Sequence, residues 1–240
     1  MARTIETLFF MAALVLSTTT AFGMGAAFGM AYTSRTGCAA SGVKGLRSMA
    51  GGEGGGKTAL CILAEGFEEM EAVSPIDLLR RAGVEVTTAS LTKDLTVKGR
   101  NGISVLADTD LDSVLSEKYD AVVIPGGPPA VPSVGTLKND ARVMTLLREQ
   151  MDSGGLVSAI CAAPSVLAEA GVLKGKKHTA HFSVESVVPE MDKASAVVKD
   201  GNLITSQGAG TGTQFGLALV EELVDKKTAD EVAASICWKG

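Results

Sequence analysis

Beyond residue 57 the chain alternates apolar runs with segments of helical spacing. The runs occupy 59–64, 84–89, 121–124 and 156–160, and such runs, without strict polar alternation, predict strands buried on both faces. Between them, 76–81 and 143–151 carry apolar residues at helical intervals, and 215–224 predicts a further amphipathic helix. Ser74-Pro75-Ile76-Asp77 sets an N-cap serine, an N1 proline and an early acid in order. A helix is expected to start or restart there, with Glu71 just before it or before a kink in a longer one. Segments 197–199 and 203–206 flank Asp200-Gly201, a hairpin signal attached to the main sheet. The alternation predicts an α/β fold: a doubly wound parallel sheet sandwiched by helices, with an added hairpin.

The first fifty residues follow a different pattern. Arg3 leads into an apolar run at 8–16, too short to span a bilayer but of signal-peptide length. Residues 17–50 are rich in Ser, Thr, Ala and Gly, carry Arg35, Lys44 and Arg47, and contain no acid, as transit peptides do. Residues 1–52 therefore read as a targeting leader that takes Cys38 with it, 53–56 as a glycine-rich linker, and 57–240 as the domain. A plastid reached through the secretory pathway is the expected destination. A mitochondrial or plastid presequence, plain secretion and a disordered tail are the alternatives. No membrane segment is expected in the mature form. Residues 51–58, GGEGGGKT, satisfy the spacing of a phosphate-binding loop, but such a loop follows a strand and opens a helix. Here the segment before it lacks an apolar run and the one after it, TALCILA, is itself strand-like, so a linker is the better reading.

Charge narrows the partners. A formal net charge of −5 gives no electrostatic basis for binding nucleic acid or an anionic membrane. The four cysteines, Cys38, Cys61, Cys161 and Cys237, form no CxxC pair and no zinc-like spacing, so single-thiol chemistry is expected and no metal site.

In doubly wound sheets, ligands bind beyond the carboxyl ends of the strands. That rule selects 65–71, 125–127, 160–163 and 206–213. Cys161 lies between the strand LVSAI and the helix-like AAPSVLAEAG, an arrangement resembling a nucleophile elbow, in which a helix start lowers the thiol pKa. A buried, inert cysteine fits the local pattern equally well; Cys61 and Cys237 read as inert. The acid-rich run from Glu65 to Glu71, with Glu68 inside it, reads first as a solvated face. Its place after the first strand instead allows one carboxyl group to enter the crevice, be raised by burial and move protons. His178 and His181 are the only histidines, and His181 follows the elbow helix closely enough to serve as a base or polar support. Gly208-Ala-Gly210-Thr-Gly212 reads as a tight turn, with Thr211 or Thr213 capping the next helix.

Four segments together, ALCILAEGFEEMEAVSPIDLLRRAGVEVTTAS, YDAVVIPGG, LVSAICAAPSVLAEAGVL and ITSQGAGTGTQFGLALVEEL, resemble the ThiJ/PfpI family, in particular its DJ-1 branch, across 57–240. The resemblance implies a flavodoxin-like sandwich, a homodimer, Cys161 as reactive thiol and Glu71 as its protonated partner. It further implies oxyanion-hole N–H groups from Gly127 and Ala162, substrate contacts at Glu68 and Gly126, and His181 near the thiol. Arg81 and Arg100 match arginines near the site or dimer seam. Ala162, where peptidase-like members of the superfamily have histidine, argues against proteolysis, and the residues flanking Cys161 argue against glutamine amidotransfer. The activity implied is a cofactor-independent, glutathione-independent glyoxalase acting on methylglyoxal or glyoxal, with deglycase activity on early glycated adducts. A redox-sensing, stress-responsive chaperone using the same thiol is the alternative.

Overall fold

The computed structural model describes residues 56–128 and 132–240. The leader, with Cys38, and all of the linker but its last residue lie outside these residues. The chain runs β1 (Thr58–Leu63), α1 (Glu69–Arg81), β2 (Glu85–Ser90), β3 (Thr96–Lys98), β4 (Ser104–Leu106), β5 (Thr109–Asp110), β6 (Ala121–Ile124), α2 (Pro132–Lys138), α3 (Ala141–Asp152), β7 (Leu156–Ile160), α4 (Pro164–Ala170), β8 (Val197–Asp200), β9 (Leu203–Ser206), α5 (Gly212–Leu223) and α6 (Lys226–Ser235).

Seven strands form one sheet in the order β5-β2-β1-β6-β7-β9-β8, while β3 and β4 make a separate hairpin. Every pairing in the large sheet is parallel except β8 with β9, the expected hairpin at one edge. Alternate residues of the central strands feed two cores. Leu60, Ile62, Val122, Ile124, Val157 and Ala159 pack in the cluster that includes α3 and α4; Ala59, Cys61, Leu63, Ala121 and Val123 pack in the one that includes α1, α5 and α6. Burial on both faces explains why these strands read as apolar runs. Thr58 opens β1 rather than a helix, which removes the structural context a phosphate loop needs. None of the described helices is long and apolar enough to cross a membrane.

Two local expectations are refined. Of the alternatives for α1 the longer helix is the one formed: it begins at Glu69 and runs through Pro75, and Glu68 caps it by accepting from the Glu71 N–H at 2.9 Å. Acidic side chains favour a helix start electrostatically, and that outweighs the serine-proline signal further on. Thr211 does not cap α5 through its side chain. Its hydroxyl instead closes the preceding 3-10 turn, accepting from Gly208 N at 3.1 Å and donating to Gly208 O at 2.8 Å.

Glycines set the spacing of the α1–α5 contact. A Cβ on Gly212 would stand 3.1 Å from Met70 O, and one on Gly216 3.1 Å from Pro75 Cα and 2.6 Å from Leu78 Cδ1. Gly212 thus serves helix packing rather than phosphate binding.

Candidate active site

The four predicted segments converge at the carboxyl end of the sheet. Glu68 N donates to Gly126 O at 2.9 Å, which ties the β1–α1 loop to the loop after β6. Cys161 N donates to Ser206 O at 2.9 Å, tying the end of β7 to the end of β9. Cys161 has φ +66°, a left-handed conformation that costs a non-glycine residue free energy and turns the chain sharply from β7 toward α4. The 180–181 segment is drawn in as well, since His181 N donates to Cys161 O at 2.8 Å.

Glu71, in the first turn of α1, is 1 % exposed and its Oε2 has no hydrogen-bond partner among the described residues. A Cβ on Gly126 would lie 2.6 Å from that oxygen, 2.7 Å from Ile160 O and 2.8 Å from Cys161 Cβ. Only glycine leaves room for carboxyl and thiol to face one another there. Burial pushes Glu71 up to about 7 against the thiol and the Gly126 N–H, which pull it down, while the Glu68 charge adds to the rise. For Cys161, burial and the Glu71 charge both push the thiol up, and the Ala162 N–H opposes them. This corrects the expectation of a thiol lowered by the helix start. Two buried acids in contact resist carrying two charges, so once the pH exceeds about 7 the pair is left with a single proton, and the thiolate forms when Glu71 takes it.

The acid-rich run is mostly not a solvated face. Glu65 is exposed, but Glu68 and Glu69 are 7 % and 6 % exposed. Glu68 is occupied as the α1 cap and raises its neighbours by charge. Glu69 accepts from Asn101 N at 2.7 Å and Asn101 Nδ2 at 2.9 Å. With Arg100 N donating to Phe67 O at 2.8 Å, these bonds pin the β3–β4 turn onto the β1–α1 loop. Burial pushes Glu69 up, but its hydrogen bonds outweigh it and hold the carboxyl below the usual range. Arg100 therefore stands close enough for its charge to lower both Glu71 and His181. Arg81 is instead engaged with Asp77 at 2.8 Å on the exposed face of α1.

His181 Nδ1 accepts from Ser183 N at 3.2 Å and lies 2.8 Å from Ser183 Oγ. That assigns the proton of the neutral ring to Nε2, and burial together with Arg100 keeps the ring neutral. Toward Cys161 the ring makes no hydrogen bond among the described residues, and His181 touches that residue through its backbone N–H. His178 is remote from this chemistry, its ring nitrogens 2.8 Å from Lys176 O and 3.1 Å from Pro189 O. Gly127 and Ala162 are both buried at the site, and among the described residues their N–H groups meet no backbone oxygen. Cys61 is buried in β1 and pushed up to about 12; Cys237 is exposed near the end of the chain. Sequence reasoning missed Glu69, Asn101, Ser183 and the closing carbonyl of Ser206 as supports. Only the capping and turn chemistry of neighbouring residues hinted at them.

A single thiol on a strained turn above a doubly wound sheet, paired with a buried carboxyl group, defines a cysteine-centred α/β protein. The model of the DJ-1/PfpI family matches residues 57–222, and the chain belongs to that family. Protein dj-1beta of Drosophila melanogaster is 45% identical over 185 residues, which are 75% of this chain and 96% of that protein. The glutathione-independent glyoxalase DJR-1.2 of Caenorhabditis elegans is 33% identical over 187 residues, 75% of this chain and 96% of that one. The crystal structure of Drosophila melanogaster DJ-1beta superposes with a TM-score of 0.74 at 43% identity, covering 77% of this chain and 100% of the other. Oxidized Toxoplasma gondii DJ-1 does so with a TM-score of 0.73 at 34% identity over the same shares.

Proposed function

We propose that this chain is a cysteine-dependent, glutathione-independent glyoxalase that converts methylglyoxal or glyoxal to hydroxy acids and also acts on early glycated adducts. The observation that carries the reading is the unpartnered, buried Glu71 Oε2 facing the Cys161 side chain. The named activity of the Caenorhabditis elegans relative supports it. Glu71 takes the thiol proton and Cys161 Sγ adds to the aldehyde carbon. The N–H groups of Gly127 and Ala162 face the developing oxyanion, with His181 Nε2–H as a further donor. Glu71 gives the thiol proton to the oxyanion and, as carboxylate again, carries the aldehyde-carbon proton to the adjacent carbonyl carbon while the hydroxyl proton passes to that carbon's oxygen, leaving a 2-hydroxyacyl group on sulfur that water releases as lactate or glycolate. Glu68 and Gly126 shape the floor of the site, and no step calls for a cofactor. Lactate formation from methylglyoxal by the purified 57–240 domain tests the reading; rates unchanged in Cys161→Ala and Glu71→Gln would refute it.

The half-exposed Cys161 favours a second reading, a redox-sensing chaperone in which peroxide oxidises the sulfur and protonated Glu71 bonds the product. Mass spectrometry after mild peroxide separates the two, since sensing requires Cys161 to oxidise ahead of Cys61 and Cys237. A homodimer is supported by the exposed Met70, Val73, Ile103 and Leu106, the first two on α1 and the latter pair at β4. Delivery to a plastid rests on the leader's composition.

A further inference from the structure

The chain between α4 and β8 forms a cleft of about 730 Å³, which shares no lining residue with the hollow beside His181 and Gly208. Ala168, Leu173 and Val188 give it an apolar floor, the last two of them buried. Its walls stand apart because the chain turns at Gly171 and Gly175, with φ +80° and +73°, where a Cβ would meet nothing within 4 Å. A concavity of this size suits an ordinary small-molecule ligand.

Three cations reach the cleft from one short loop: Lys174, Lys176 and Lys177. Lys57, Lys93, Lys193, Lys199, Lys226 and Lys227 each pair with a carboxylate, whereas none of the three cleft lysines forms an ion pair among the described residues. Asp200 does not neutralise them, since its Oδ2 accepts from the Lys177 backbone N–H at 2.8 Å. Glu190 is the one acid among the lining residues, set against three lysines. The His178 ring is itself occupied, with its nitrogens 2.8 Å from Lys176 O and 3.1 Å from Pro189 O. Those contacts tie the lysine loop to the opposite wall at Pro189, so the loop is fixed before a ligand arrives.

From this charge complementarity we infer that the cleft binds a small organic anion, its carboxylate, sulfonate or phosphate head among Lys174, Lys176 and Lys177 and its apolar body on Leu173 and Val188. The molecule as a whole carries a net charge of −5, so the cleft is a local exception that draws an anion to one place. Lysine presents a point charge rather than a planar fork, so the site selects for charge and leaves the shape of the head group open. Binding there is independent of the chemistry at Cys161.

The probe is anilinonaphthalene sulfonate, titrated by fluorescence against the purified full chain beside phenylnaphthylamine, which has the same rings without the sulfonate. The sulfonate is expected to bind saturably and about tenfold more tightly than the neutral dye. Combining Lys174→Gln, Lys176→Gln and Lys177→Gln should raise its Kd about tenfold or more, the order of one lost hydrogen bond to a charged group. Lys226→Gln with Lys227→Gln, on α6, should leave it unchanged. Brief acetylation followed by peptide mass spectrometry locates the dye on the parent chain without any substitution: bound sulfonate should slow modification of the three cleft lysines and not of Lys226 or Lys227. No saturable binding, equal affinity for the neutral dye, a Kd unmoved by the triple substitution, or cleft lysines acetylated as fast with the dye as without it overturns the inference.

Discussion

Glu71 owes its raised pKa first to burial, and that makes its protonation a term in stability as well as in chemistry. The folded carboxyl keeps its proton up to about 7, while its unshifted value is 4.5. Between those values the native state binds more protons than the unfolded chain. This residue's contribution is therefore full below 4.5 and is lost as pH rises through 7. A shift of this size corresponds to roughly 3 kcal/mol. Urea unfolding of Glu71→Gln beside the parent chain at pH 5 and pH 8 should show the variant gaining on the parent at the higher pH. Its hydroxy-acid production should fall by about a hundredfold or more, the usual worth of a positioned acid–base group. The strained turn is measurable in the same way: Cys161→Gly is expected to be more stable than Cys161→Ala by about 1 kcal/mol, because only the former relieves φ +66°. The elbow was legible in the sequence from the strand, the small neighbours and Pro164. The proton-sharing was not, because burial of Glu71 depends on the distant Gly126.

Among the elements, the β3–β4 hairpin stands out as a part held from outside itself, by the Glu65 and Glu69 carboxylates and by backbone bonds from Arg100 N to Phe67 O and from Gly66 N to Lys98 O. Glu69→Ala should lower stability by about 2 kcal/mol, the worth of hydrogen bonds to a buried charge, and hydrogen exchange at Asn101 should quicken. Helix α1 itself tolerates Pro75 where α5 comes close, and Gly216→Ala, with its Cβ 3.1 Å from Pro75 Cα, is expected to cost about 1–3 kcal/mol in thermal or urea unfolding. The central strands, α3 and α5 could be read because their burial imposes a pattern on contiguous residues. Strands β3 and β4 could not: each has three residues, largely exposed, and its place is decided by Glu65 and Glu69 from another part of the chain. The true start of α1 was hidden for a related reason, since capping acids look like a solvated face until their burial is known.

At the scale of the molecule, Ile103 N donates to Glu69 Oε1 at 3.4 Å, which brings the exposed Ile103 to the helix start that carries the exposed Met70, and the proposed dimer is tested at these residues. Sedimentation should show the parent chain as a dimer and Met70→Asp shifted toward monomer. The sheet order was foreseeable as a type, because alternating strands and helices admit few arrangements. The convergence of loops on Cys161 followed from the same rule. Closure of the elbow by Ser206, however, has a consequence in time. The carbonyl that receives the Cys161 N–H belongs to β9, which leaves the ribosome long after the thiol does. Until then the turn at Cys161 lacks its closing bond and the sulfur lacks Gly208 beside it, so a nascent chain carries this thiol through synthesis with the first half of its surroundings made and the second half missing.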